Sequence, residues 1–135
     1  MNKYLSLIIF LSFLTFSCSS DDESDFVQMA CENVEGTGQS MVSVSNVNIE
    51  IDGDFAIITA TITNENDFGV SGKPLFIFDV DGVASTFRFS DGFCCDQGDY
   101  CFEIGANESC EFRNDYFDTI LNADSVLACF EYEPI

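Results

Sequence analysis

The chain is expected to fold as an all-β protein, a single antiparallel β-sandwich of about seven short strands stapled by disulfides. Three observations lead there. From residue 41 onward apolar residues recur with a period of two, and no stretch sustains a helical period. Asp-Gly and other glycine-containing turn signals interrupt that pattern at roughly ten-residue spacing. Six cysteines, Cys31, Cys94, Cys95, Cys101, Cys110 and Cys129, fall in the same region, an even set of the kind an exported chain oxidises to disulfides. A barrel is the alternative closure.

Residues 1–17 read as an export signal. Lys3 gives a basic start, residues 4–16 are an apolar run with no charge, and small Ser17 precedes Cys18. The run is too short to span a bilayer as a helix. After Cys18 come only serines and acids to residue 25, and residues 18–25 are expected to be a flexible tether. Cleavage before Cys18 leaves 135 minus 17, or 118 residues, the size of one compact domain, assigned to residues 26–135.

Residues 26–40 carry Cys31 and the turn residues Gly36 and Gly38, but little pattern. Val42 and Val44 then alternate with serines, and Val47, Ile49 and Ile51 continue in the opposite phase, which predicts a bulge near Asn46. Asp52-Gly53 is a hairpin signal leading into the β-branched run 55–63, with Ile58, Ala60 and Ile62 on one face. Residues 64–74 form a polar loop. Leu75-Phe76-Ile77-Phe78 is apolar on both faces and suits a central strand. Asp81-Gly82 turns the chain into a strand bearing Val83, Ser85 and Phe87 on one side. After the cysteine loop, 91–99, come a strand with Tyr100, Phe102 and Ile104 in alternation, a turn at 105–108, a strand starting at Cys110 and Phe112, and a last strand with Val126, Ala128, Phe130 and Tyr132 on one face.

Two resemblances add to this reading. Leu14-Thr15-Phe16-Ser17-Cys18, followed by Ser19-Ser20-Asp21-Asp22-Glu23, resembles the lipobox and acidic surface-export signal of Bacteroidota lipoproteins, with Thr15 and Phe16 standing where that family has leucine and a small residue. The resemblance implies that Cys18 is diacylglycerated, that the signal is removed just before it, and that the protein sits in the outer membrane by its lipid, at the cell surface. The strand-to-asparagine turn at 57–66, the hairpin at 76–82 and the turn at 104–109 resemble those of immunoglobulin-like adhesion and CARDB-type modules. The implied role is a binding or spacer module without catalytic residues. The cysteine loop is an insertion that those modules do not carry.

The chain has 24 acidic residues against four lysines and arginines, and its formal net charge is −20. Such a field repels nucleic acids and anionic lipid surfaces. The six cysteines permit fifteen pairings. One of Cys94 or Cys95 is expected to join Cys101, Cys110 to join Cys129, and Cys31 to staple the N-terminal segment. A zinc site is disfavoured because the chain has no histidine and no CxxC spacing.

The absence of histidine also removes the Ser-His and Cys-His nucleophile pairs, and the chain lacks G-x-S-x-G, P-loop and dinucleotide motifs. The reading is therefore a non-enzymatic, lipid-anchored surface module whose partner is a protein or a glycan, met by the loops at 64–72 and 91–99. The first alternative is a calcium-dependent adhesion or glycan-binding domain. Its oxygen ligands would be Asp91, Asp96 and Asp99, in a loop ordered by neighbouring disulfides, with further oxygen clusters at Asp52 and Asp54, at 64–67, and at Asp79 and Asp81. The second is a carboxylate-dependent hydrolase, whose acid pair needs no histidine. Phe68, Phe93 and Tyr100 are the candidate contact residues, with Tyr116 a further one, because aromatic rings in loops either pack back or meet a partner.

Overall fold

The computed structural model describes residues 22–88, 100–117 and 120–135. Seven strands, β1 (Val42–Asp52), β2 (Phe55–Asn64), β3 (Val70–Val80), β4 (Val83–Arg88), β5 (Glu103–Ile104), β6 (Ser109–Phe117) and β7 (Val126–Pro134), form two antiparallel sheets. The first has the order β1-β2-β6. In the second, β3 is central, paired with β4, β7 and the short β5.

The alternation read from the sequence positions the core. Ile58, Ala60 and Ile62 of β2 and Phe112 and Tyr116 of β6 meet Phe76 and Phe78 of β3 and Phe87 of β4 in one buried cluster. The rings make a continuous contact path, Phe112 to Phe76 at 5.1 Å, Phe76 to Phe78 at 6.3 Å, Phe78 to Phe87 at 5.8 Å and Phe87 to Tyr116 at 5.1 Å between centroids. Tyr116, one of the candidate contact residues, is thus a core residue: inward parity on β6 turns its ring toward Phe87.

Both central hairpins form where the sequence signals them. Gly53 takes φ +61° between Asp52 and Phe55, which pair across the turn. Asp81 and Gly82 both take positive φ between the paired Val80 and Val83, the backbone of a type I′ turn, and the Asp79 carboxylate accepts the Gly82 N–H at 2.7 Å. The bulge expected near Asn46 is present too. The β1–β2 register slips between Ser45 and Asn48, and Asn46 has φ +52°.

Five features depart from the expectation. The loop read at 64–74 is shorter, because β3 begins at Val70. The stretch read as the end of a tether and a patternless segment is a helix, α1 (Asp22–Val34). Gln28 donates to Glu32 one turn on at 2.7 Å, and Gly36, at φ +74°, ends the helix. The helix lies against β3, β4 and β7 on the side away from the other sheet. This explains the doubly apolar β3: Phe76 and Phe78 fill the intersheet core, while Leu75 and Ile77, buried but outside that core, face the helix side together with buried Val27.

The strand expected through Tyr100, Phe102 and Ile104 shrinks to β5, because Cys101 turns the backbone to φ +53°. In β7 a bulge between the partners of Ile77 and Phe78 leaves Ala128 unpaired and changes the phase. Phe130 and Tyr132 face the core as expected, but they share it with Leu127, while Val126 and Ala128 are exposed.

The disulfide pairing is also different. Among the described residues the bridges are Cys31–Cys129 and Cys101–Cys110, with Cα separations of 5.9 and 5.7 Å. Cys129 pairs with Ile77 in the register and so points to the helix side, where Cys31 of α1 meets it. It is therefore turned away from Cys110. Cys101, held by Cys110, is no longer open to Cys94 or Cys95, and both of these lie outside the described residues.

Asn114 is an exception to the apolar core. Inward on β6 between Phe112 and Tyr116 and only 4% exposed, it uses its oxygen on the N–H of Asp115, while its Nδ2 has no hydrogen-bond partner. A buried donor without a partner costs about 1–3 kcal/mol. Asn114→Leu is expected to raise stability by about 1 kcal/mol, read as a shift of the urea midpoint; an unchanged or lower midpoint would show that the amide is stabilising after all.

Candidate binding surfaces

The loop expected to meet a partner is built on a buried asparagine pair. Asn64, fully buried at the end of β2, donates from Nδ2 to the carbonyls of Phe68 (2.8 Å), Gly105 (2.9 Å) and Ile104 (3.3 Å). Its Oδ1 accepts the Asn66 N–H at 3.0 Å and Asn66 Nδ2 at 2.8 Å, and Asn66 in turn donates to the Ser40 carbonyl. Three segments, 40–41, 64–68 and 104–108, are thereby fixed to one another. Of the oxygens singled out for a cation, Asn64 Oδ1 is taken by Asn66 and one oxygen of Asp79 is taken by the Gly82 N–H of its turn.

That scaffold holds Phe68 in the loop with 57% of its surface exposed. Directly after it, Gly69, Val70 and Ser71 line one side of a shallow recess, and Glu103, Ile104 and Gly105 line the other, enclosing about 530 Å³. Tyr100, half-buried, packs its ring against Phe102 at 5.7 Å. Phe93, Asp91, Asp96 and Asp99 lie outside the described residues, as does Cys18. Among the described residues no group of three or more metal-ligating side chains converges, and no helix is long and apolar enough to cross a membrane.

Behind the recess, alternation alone puts Tyr132 on the inward face of β7, but its hydroxyl has a role that alternation does not reveal. Buried in the core, it donates to the Cys101 carbonyl at 2.6 Å and so clamps β7 to the start of the β5 segment. The Tyr132 ring lies so close over Gly72 that a Cβ there would sit 2.7 Å from ring carbon Cδ1, which accounts for the glycine.

Burial pushes the Tyr132 phenol from 10.0 up to about 12; a backbone hydrogen bond at Gly72 acts in the opposite direction, and the Glu103 charge adds to the rise. The folded state holds this proton more tightly than the unfolded chain. Its contribution is therefore whole below pH 10 and is lost as pH rises toward 12. Tyr132→Phe is expected to cost about 1 kcal/mol at neutral pH and to flatten the fall of stability above pH 10. Denaturation series at pH 7 to 12 measure both, and an alkaline limb of unchanged slope in the variant would assign it to another group.

A second opening lies on the opposite side of the sandwich, where β1 and β7, the edges of different sheets, run side by side. It encloses about 260 Å³ between Val47, Asn48 and Ile49 of β1 and residues 123–127, with core Phe78 at its floor. Comparison with family models, with curated proteins and with solved structures finds no match for this chain.

Proposed function

We propose that the protein is a lipid-anchored, exported module that displays a binding surface outside the cell and performs no chemistry itself. The observation that carries this reading is the Cys31–Cys129 bridge, which ties the segment directly after the acidic run to the last strand of the domain. Such bridges persist where thiols oxidise, outside the cytoplasm. Their presence agrees with the export signal read at residues 1–17, and the resemblance to lipobox sequences makes Cys18 the anchoring residue. The strand arrangement, two sheets around an aromatic core, accords with the resemblance to immunoglobulin-like modules.

In this reading each part has a physical task. Acyl chains on Cys18 hold the protein at the membrane, each buried methylene contributing about 0.8 kcal/mol. The net charge of −20 keeps the domain off anionic lipid headgroups. Helix α1, bonded to β7, sets the domain's orientation close to its anchor. The rigid asparagine network presents Phe68 and the neighbouring recess.

The test is fractionation of cells producing the wild type and Cys18→Ser. Wild-type protein is expected in the outer membrane, labelled by radioactive palmitate and cleaved by protease added to intact cells. The serine variant is expected to lose both the label and the membrane association. Wild type that remains soluble and unlabelled would end this reading.

A further inference from the structure

We propose that the seam between β1 and β7 accepts an extended segment of a partner polypeptide, alternating apolar and basic residues, as an added strand. The proposal deepens the binding-module reading and rests on it for the partner being met outside the cell.

The seam is where the core is least covered. Inward-facing residues of the central strands, Ile58, Ile62, Phe76 and Phe78, are fully buried. On the two edges Ile49 and Tyr132 are buried, but Val42, Val44, Val47, Leu127 and Phe130, packed on the same core, stay partly exposed. The two edges converge at one end, where Gln39 donates its N–H to the Tyr132 carbonyl at 2.7 Å. At the other end they diverge around the opening that reaches Phe78. Its volume of about 260 Å³ is below the range usual for drug-sized ligands and suits apolar side chains from an inserted strand.

The backbone also favours a strand. The Tyr132 carbonyl, taken by Gln39, points away from β3, and its partner in the register is Pro74, which has no N–H to offer. By the alternation of an antiparallel ladder, Phe130 likewise turns its N–H and carbonyl toward the seam. Open edges of this kind template strand addition, in which main-chain hydrogen bonds give affinity and alternate side chains enter pockets.

Charge selects the occupant. The sequences of β1 and β7 contain no lysine or arginine. Glu50 follows the lining residue Ile49 and Asp124 lies between the lining residues Ala123 and Ser125 in the chain, whereas the basic residues of the described chain, Lys73, Arg88 and Arg113, belong to β3, β4 and β6. A second copy of this chain, itself at −20, is repelled. A strand with lysines on its outward face is attracted.

The probe is a fluorescent decapeptide of alternating valine and lysine, added to the full-length chain. Fluorescence anisotropy is expected to show binding at least tenfold tighter than for the same peptide with glutamate in place of lysine, and than for a version N-methylated at alternate residues. Amide exchange is expected to slow at β1 and β7 and nowhere else. Val126→Lys, at a position 65% exposed and therefore harmless to folding, should weaken binding at least tenfold. Equal affinity for the N-methylated peptide, protection at another face, or a dimer that buries the seam without peptide would each overturn the proposal. A chain that is acylated and displayed but leaves the peptide unbound defeats strand addition alone, whereas an unacylated chain that binds it supports strand addition and defeats display.

Discussion

Replacing Cys31 and Cys129 together by serine is expected to lower the stability of the oxidised protein by about 4.7 kcal/mol. The bridge joins residues 98 apart, and closing so long a loop removes a large share of the unfolded chain's freedom. It also fixes α1 over Leu75 and Ile77, so the variant exposes that apolar face whenever the helix lifts. Cys101–Cys110 spans nine residues and provides an internal comparison. Its removal should cost less, about 2.5 kcal/mol by the same loop argument. Urea denaturation of the two double-serine variants gives the ranking directly. Should the short bridge prove the more stabilising, α1 is not held as described.

Asn64→Leu is the second large effect, expected to destabilise by at least about 3 kcal/mol. Leucine is close in size but leaves the carbonyls of Phe68, Ile104 and Gly105 without the donor that they share, and Asn66 without its acceptor. Buried groups stripped of partners bear the full desolvation cost. Asn64→Asp discriminates further, because an ionised carboxylate would face three carbonyl oxygens. That variant should regain stability as pH falls and the carboxyl takes up a proton, which can then be donated. Melting curves at pH 4 and pH 7 test this; pH-independent melting of the aspartate variant would mean that the loop rearranges to hydrate the site.

How much of this was legible follows from what each residue type can signal by itself. The sheet cores were readable because Ile58, Ala60 and Ile62 alternate strictly, and because only a strand covered on both sides explains Leu75 to Phe78. The turns were readable because Asp81-Gly82 and Asp52-Gly53 carry backbone preferences of their own. Helix α1 carries only a weak signal: Val27, Ala30, Cys31 and Val34 recur at helical spacing, but exposed Phe26 and Met29 blur the stripe. The β7 bulge was invisible, since Val126, Ala128, Phe130 and Tyr132 alternate without a break and only pairing with β3 reveals the extra residue.

The sites were less legible, for a different reason. Asn64 and Asn66 look alike as oxygen ligands and as turn formers, and only the approach of residues 104–108, forty positions away, makes them a structural network. Cysteine pairing depends on which face of its strand each sulfur occupies, and for Cys129 that face was decided by the same hidden bulge. The seam between β1 and β7 is a property of two strands at opposite ends of the chain and has no local signature.

The covalent link between α1 and β7 has a mechanical consequence. A tug on the chain from its N-terminal end is passed at Cys31 straight to Cys129, so residues 32–128 between them carry no tension. At roughly 3.4 Å per residue, about 330 Å of contour is sealed off and cannot spool out however hard the ends are drawn apart. The oxidised molecule should behave under load as a short, nearly inextensible spacer, whereas its reduced form would lengthen strand by strand.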